Sequence, residues 1–279
     1  MKKNSNFKVG SGSRKGFVSK FQSDNPVIEF SEENNISQIK NKIFNKSSED
    51  MSELLDNSIS LTVTSPPYNI GKDSDLNLTD DDYWKLMEKV FNETYRVTKS
   101  GGRIVVNVAN LGRKPYIPLA NQFTQLLTNI GFLMRGEIIW QKSKGANANF
   151  AWGSWLSASN PVIRDIHEYC LVFSKHSFKN NSKSESTITK EEFMESTLSI
   201  WNILPAKAKK IGHPAPFPVE LPEKFINLYS FENDIILDPF LGSGTTAIAA
   251  LNSKRSYIGY EINQTYIEIA KNRIKNEAS

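Results

Sequence analysis

The chain has one cysteine, Cys170, among 279 residues. That excludes an internal disulfide and a cysteine-based zinc site. Cys170 sits in the apolar run Tyr169 to Phe173, where a small buried hydrophobe is expected. Histidine is also scarce. His167, His176 and His213 are the three present, and none has an evident acid–base partner. No metal site is expected. No apolar run reaches membrane-spanning length, and the basic, polar N-terminus lacks the apolar core of a signal peptide. The expectation is an intracellular, cytoplasmic protein with no membrane partner. Internal repeats are absent.

What is present is a globular composition, with 39% hydrophobic and 23% charged residues. Net charge is +4 and the isoelectric point about 8.9, compatible with a polyanionic partner but not diagnostic of one. Residues 1–23 hold six basic side chains and no acid. Residues 1–36 are expected to form a basic, flexible arm, with 37–279 as the catalytic domain.

Thr64-Ser65-Pro66-Pro67-Tyr68-Asn69 follows an alternating apolar run at 59–63 and so stands where a strand stops. Two prolines cannot donate to a ladder, and each restricts the residue before it. The corner is therefore stiff. It sets a serine hydroxyl and a free carbonyl on one side and an aromatic ring on the other. This suits activation of an exocyclic amine on a nucleobase, a weak nucleophile. Ser65 and the Pro66 carbonyl can accept its two hydrogens, and Tyr68 can stack on the base for ~1–3 kcal/mol.

A second constellation lies near the C-terminus. The strand 234–238 ends at Asp238 and leads into Pro239-Phe240-Leu241-Gly242-Ser243-Gly244-Thr245-Thr246. A small-residue helix and another strand, ending at Glu261, follow. Strand, glycine turn, helix, strand, acid is a nucleotide-cofactor half-site. Gly242-x-Gly244-x-x-Ala247 fits the dinucleotide fingerprint too, so locally NAD and S-adenosylmethionine are not separated. The remaining chain separates them. A hydride-transfer site is missing, whereas an amine-polarising corner needs an electrophile, and a sulfonium methyl supplies one.

With these motifs in hand, the chain resembles the β group of amino-methylating DNA methyltransferases. There the catalytic T-S-P-P-Y precedes the F-x-G-x-G cofactor loop, the order seen here. The resemblance covers about residues 38–275. It implies an α/β fold: a doubly wound, Rossmann-like methyltransferase sheet, circularly permuted, with the strand at 41–45 completing the sheet after the last helix. It implies S-adenosylmethionine as cofactor. Ser65, Pro66, Pro67 and Tyr68 would be catalytic. Asp238, Phe240, Gly242, Ser243, Gly244, Thr245, Thr246 and Glu261 would bind cofactor, with His213 and Pro214 closing over its methionine end. An acid that family members carry after the first strand is replaced by Ser47 or Ser48, which leaves the adenine contact open. The implied partner is double-stranded DNA with its target base flipped out. The enzyme would then be nucleoid-associated when bound. A homodimer and a cognate restriction endonuclease are left open. Serine before P-P-Y goes mostly with cytosine N4 in the family, with adenine N6 as the alternative. Cytosine C5 chemistry needs a cysteine nucleophile, and Cys170 is in a strand. Methylation of RNA or protein usually goes with Asn before P-P-Y, and a non-catalytic relative would have lost Ser65 or Glu261.

Recognition is expected from insertions at about 141–166 and 176–200. Lys142, Lys144, Asn147 and Asn149 would meet phosphates or base edges, and Trp152 and Trp155 would meet the vacated stack or the core. Local signals further predict a short capped helix at 48–55, a helix at 81–98 ended by Gly101-Gly102, a helix at 115–130, and a final helix capped by Asn263.

Overall fold

The computed structural model describes residues 30, 32–69, 78–112, 115–142, 153–180, 182, 184–206 and 217–278. Its strands are β1 (Lys42–Phe44), β2 (Ile59–Thr64), β3 (Thr98–Val108), β4 (Leu133–Gln141), β5 (His167–Ser174), β6 (Ile200–Asn202), β7 (Ile235–Asp238) and β8 (Ser256–Tyr260). Its helices are α1 (Asp80–Val97), α2 (Leu119–Ile130), α3 (Lys190–Ser196), α4 (Glu220–Tyr229), α5 (Thr245–Asn252) and α6 (Gln264–Glu277). No described helix is long and apolar enough to cross a membrane.

The strands form one sheet in the order β1-β8-β7-β2-β3-β5-β4-β6. β5 runs antiparallel to both of its neighbours, and the other pairings are parallel. Both faces are covered, so β2 is buried at every position and reads as a continuous β-branched run. On one face Ile104, Val106 and Val108 of β3 meet Met87 and Phe91 of α1 and Phe123 of α2. On the other, Val105 joins Phe225 of α4, the alanines of α5 and Ala270 of α6. Period-two alternation along β3 thus serves two helical layers.

The permutation is visible in the ladder. β1 pairs in parallel with β8, Lys42 to Phe44 against Ile258 to Tyr260, in the place a strand following α6 would take. The strand order reverses between β7 and β2, and ligands of such sheets bind outside the carboxyl ends at that reversal. Those ends are Asp238 and Thr64.

Several local expectations change. Residues 48–55 form turns rather than a helix. Their backbone is held from α1, where the Glu93 carboxylate accepts the Met51 N–H at 2.8 Å and Arg96 donates to the carbonyls of Met51 and Leu54. The glycine pair does not end α1, which passes directly into β3 with Thr98 as its C-cap. Gly101 instead admits residues 175–180 beneath the sheet: a Cβ there would stand 2.5 Å from the Lys179 carbonyl oxygen. α2 begins at Leu119 because residues 111–117 close a bridge of their own, and the Asn110 side chain accepts the Ala120 N–H at 2.9 Å. The Asn263 cap is present, bonded to the N–H groups of Thr265 and Tyr266.

Within 1–36, Asn35 bonds the backbone of Asn57 and Asp56, and Glu32 accepts from Asn57. The basic residues at 2–20 lie outside the described residues, as does 70–77, expected as a loop.

Candidate active site

β2 and β7 deliver the two motifs to one place. A cleft of about 1130 Å³ opens at their carboxyl ends, lined by Ser65, Pro66, Pro67 and Tyr68 on one side and by Phe240, Gly242, Ser243, Thr245 and Glu261 on the other.

The corner is held from three directions. Tyr83 of α1 donates its hydroxyl to the Pro67 carbonyl at 2.8 Å. Asn69 adopts a left-handed backbone, φ 52°, and its amide both donates to the Leu78 carbonyl and accepts the Leu78 N–H, which closes the loop between them at its base. The Tyr68 phenol oxygen accepts the Ala109 N–H at 2.9 Å and is hydrogen-bonded to Ser65. Burial, followed by the Glu168 charge, pushes the phenol well above its usual range, so Tyr68 stays neutral. The ring is pinned at its hydroxyl and lines the cleft, and Ser65 is turned toward it.

The cofactor-type turn is built as tightly. Gly242 and Gly244 take φ of 52° and 82°. A Cβ on Gly244 would stand 2.9 Å from that of Ala270, so glycine is what lets α6 lie against the turn. Arg273 of α6, buried, donates to the Ser243 carbonyl at 2.8 Å, to its hydroxyl at 3.1 Å and to the Thr245 hydroxyl at 3.0 Å, and pairs with Glu277. Sequence reading missed Arg273. Its signal was a cation on the buried stripe Ile267, Ala270, Arg273. Glu261 accepts the Gly242 N–H at 2.9 Å and the Asn263 N–H at 2.7 Å, one on each oxygen. The Ile262 N–H bonds the carboxylate as well, so three backbone donors hold it and part of its acceptor capacity remains for a ligand hydroxyl. Burial raises its pKa against those three bonds.

Asp238, Gly244 and Thr246 stand behind the cleft wall rather than in it. The Asp238 carboxylate, 2% exposed, accepts from Thr64 Oγ1 at 2.7 Å, Thr246 Oγ1 at 2.7 Å and the Phe240 N–H at 3.0 Å. These three bonds fix the carboxylate between the ends of β2 and β7. Burial nonetheless lifts its pKa to about 6. Ser48 is likewise structural, donating to the Pro239 carbonyl at 2.8 Å. Ser47 does line the cleft, beside Glu49, whose carboxylate pairs with Lys89 at 3.0 Å.

The two expected insertions fare differently. Lys175, Glu185 and Thr187 lie toward the amino ends of the strands, away from the cleft: the Lys175 carbonyl accepts from Gly101, that of Glu185 from Glu232, and the Thr187 hydroxyl from Arg255. Arg103 within β3 and Arg255 just before β8, both buried, bond Phe178 and Thr187. Trp155 is 89% exposed and is not core. Lys144, Asn147, Asn149 and Trp152, and the His213–Pro214 segment, lie outside the described residues. Cys170 is buried, donates to Asn107, and is pushed up by burial, as an inert thiol should be.

The DNA methylase model of the N6/N4 methyltransferases matches residues 59–272, a span that contains both motifs. The chain belongs to the N6/N4 DNA methylase family. Among curated members it is 33% identical to the type II methyltransferase M.MthZI of Methanothermobacter thermautotrophicus, over 84% of this chain and 76% of that one. It is 32% identical to M.MjaI of Methanocaldococcus jannaschii, over 80% and 88%. A Thermus thermophilus protein provisionally described as a DNA modification methylase, solved with S-adenosyl-L-methionine, superimposes with a TM-score of 0.68 at 28% identity, over 85% of this chain and 95% of that one. The cytosine-N4-specific PvuII methyltransferase shares the fold at 21% identity, with a TM-score of 0.66 over 87% and 95%. This methylase therefore carries its family's two motifs at the reversal of a permuted sheet.

Proposed function

We propose that this DNA methylase transfers a methyl group from S-adenosylmethionine to the exocyclic N4 of a cytosine flipped out of double-stranded DNA. The observation that carries the reading is one cleft lined by both the Ser65–Tyr68 corner and the Gly242–Glu261 turn. The residues fit the cofactor. Glu261 lines the cleft with acceptor capacity left over for a ribose hydroxyl, the glycine turn admits close approach, and the cleft is large enough for a nucleoside and a base together.

Bound S-adenosylmethionine supplies an electrophilic methyl on a sulfonium. Ser65 and the Pro66 carbonyl accept the two amine hydrogens and so localise the nitrogen lone pair. Tyr68 stacks on the base and, held neutral by its buried surroundings, favours the positive charge developing on the amine. The carbon–sulfur bond breaks as the carbon–nitrogen bond forms, and the nitrogen then releases one proton to water. Phe240 and Glu261 hold the other half of the cleft, Asp238 sets the spacing between the halves, and Ser47 with Glu49 offers acceptors where an adenine ring would lie.

Ser65, where an aspartate would bring a charge, supports cytosine N4 over adenine N6. Flipping costs a few kcal/mol, offset by stacking and pocket hydrogen bonds. A DNA substrate places the activity in the cytoplasm, at the nucleoid. Relatives named as type II methyltransferases support a search for a cognate endonuclease, and a homodimer is to be tested by its mass in solution. Incubation with unmethylated genomic DNA and labelled cofactor, followed by nucleoside mass spectrometry, tests the reading. N4-methylcytosine supports it, N6-methyladenine transfers it to the alternative, and absence of both refutes it.

A further inference from the structure

Beside the Ser65–Tyr68 corner, the cleft wall is built by β3, β4 and β5 and carries Asn107, Lys142 and Glu168. The transfer described above uses none of them. Asn107 and Glu168 are buried, 4% and 8% exposed. A buried amide and carboxylate are costly unless bonded. Here they are bonded in a chain of fixed polarity. One Glu168 oxygen accepts from Asn107 Nδ2 at 2.6 Å, and the other accepts from the Lys142 ammonium.

A carboxylate only accepts, so Asn107 has to present its NH₂ to Glu168. The Cys170 thiol, donating to Asn107 Oδ1 at 3.3 Å, agrees with that orientation. Lys142 is steadied further, its ammonium 4.8 Å over the Trp140 ring, and Trp140 is itself anchored to the Ile203 carbonyl at 2.9 Å. After these bonds each donor group keeps hydrogen to give: an amide has two and an ammonium three. The cluster stands next to the stacking ring, since the Glu168 charge is felt at the Tyr68 phenol.

We propose that Asn107 and Lys142, aligned by Glu168, read the ring edge of the flipped base beyond its amine and select cytosine over adenine. The inference rests on the amino-methyltransferase reading and names the residues behind its base choice. With the amine on Ser65 and Pro66, cytosine next presents N3 and then O2, both acceptors. Adenine presents N1 and then C2–H, which accepts nothing. Two neighbouring donors match the first pattern. The second leaves one N–H of a desolvated cluster unpaired, which costs about five- to a hundredfold in rate. Glu168 acts as a positioning residue: it fixes the amide and balances the ammonium.

The test uses the full chain on unmethylated genomic DNA with saturating labelled S-adenosylmethionine, scoring N4-methylcytosine and N6-methyladenine. Lys142→Met is compared with Lys142→Gln, which keeps an N–H donor. The methionine variant should lose about tenfold or more in kcat/KM on cytosine and narrow the cytosine-to-adenine ratio, with cofactor affinity unchanged and a lower melting temperature, because Glu168 loses its counter-charge. The glutamine variant should keep most of that ratio. A methionine variant with the wild-type rate and ratio overturns the inference, and so does a glutamine variant that loses the ratio as fully as methionine. Parallel loss of cofactor affinity also overturns it, by assigning the cluster to the other half of the cleft. Wild-type protein forming only N6-methyladenine strikes both this inference and the cytosine reading. Wild-type protein forming N4-methylcytosine beside unaltered variants strikes this inference alone.

Discussion

Thr64 and Asp238, the last residues of two adjacent parallel strands and 174 positions apart in sequence, are joined by a buried hydrogen bond of 2.7 Å. The residue after Thr64 begins the catalytic corner, and the residue after Asp238 begins the cofactor-type loop. This bond, with the Thr246 hydroxyl on the other Asp238 oxygen, fixes the spacing between the two motifs.

Asp238 gives the first prediction. Burial raises its pKa from the ordinary aspartate value of 3.8 to about 6. The folded state thus holds the proton to higher pH than the unfolded state. From this group alone, stability falls as pH rises from about 4 to about 6, by on the order of 3 kcal/mol. Asp238→Asn removes that slope. The stability of the variant minus that of the wild type should grow across this window and level off above it, measured by denaturant unfolding at stepped pH. A constant difference would refute the assignment.

Ser65→Ala and Tyr68→Ala should each abolish most methyl transfer while cofactor binding survives. Tyr68→Phe separates stacking from anchoring. It keeps the ring and loses the bonds to Ala109 and Ser65, so its rate should fall only about three- to tenfold. Removal of the ring should cost up to about a hundredfold. Single-turnover rates on one DNA decide between them; equal losses would mean the hydroxyl, not the ring, is what matters.

Glu261→Ala should weaken cofactor affinity about ten- to a hundredfold, the worth of charge-assisted bonds to two hydroxyls. Burial holds the Glu261 carboxyl above the ordinary glutamate range. Acidification should therefore protonate it, and weaken cofactor binding, at a higher pH than an exposed glutamate would. Glu261→Gln should bind weakly with that acid-side dependence removed. Titration calorimetry at several pH values reads both.

Gly244→Ala should destabilise the fold by about 1–3 kcal/mol. The backbone there is at φ 82°, and the new methyl would meet Ala270, including its Cα at 3.1 Å. Arg273→Met keeps the packing and frees the Ser243 carbonyl and two hydroxyls, so cofactor affinity should drop more than the melting temperature does. A pure loss of stability at Arg273 would make it a structural clamp only.

The amino-acid order alone was enough for the two motifs, and the family resemblance they carry implied the sheet class and the permutation. The motifs rest on local chemistry: prolines after an alternating apolar run, glycines before a small-residue helix, and an acid at a strand end. Where local pattern met long-range partners it misled. The polar 48–55 segment has a helix pattern, but Glu93 and Arg96 of α1 take its backbone groups. Gly101 looks like a helix stop and is a point of close approach. The stretch after β5 looks like a recognition insert, yet Phe178 and Thr187 are bonded by Arg103 and Arg255, toward the amino ends of β3 and β8. The bonds that Thr64, Thr246 and the Phe240 amide give to Asp238 also come from segments far apart in sequence. Only folding brings Asn107, Lys142 and Glu168 together, because an antiparallel ladder sets residue 107 against 170 and 140 against 168. Cross-strand register is a property of the assembled sheet, and no spacing along a single strand encodes it.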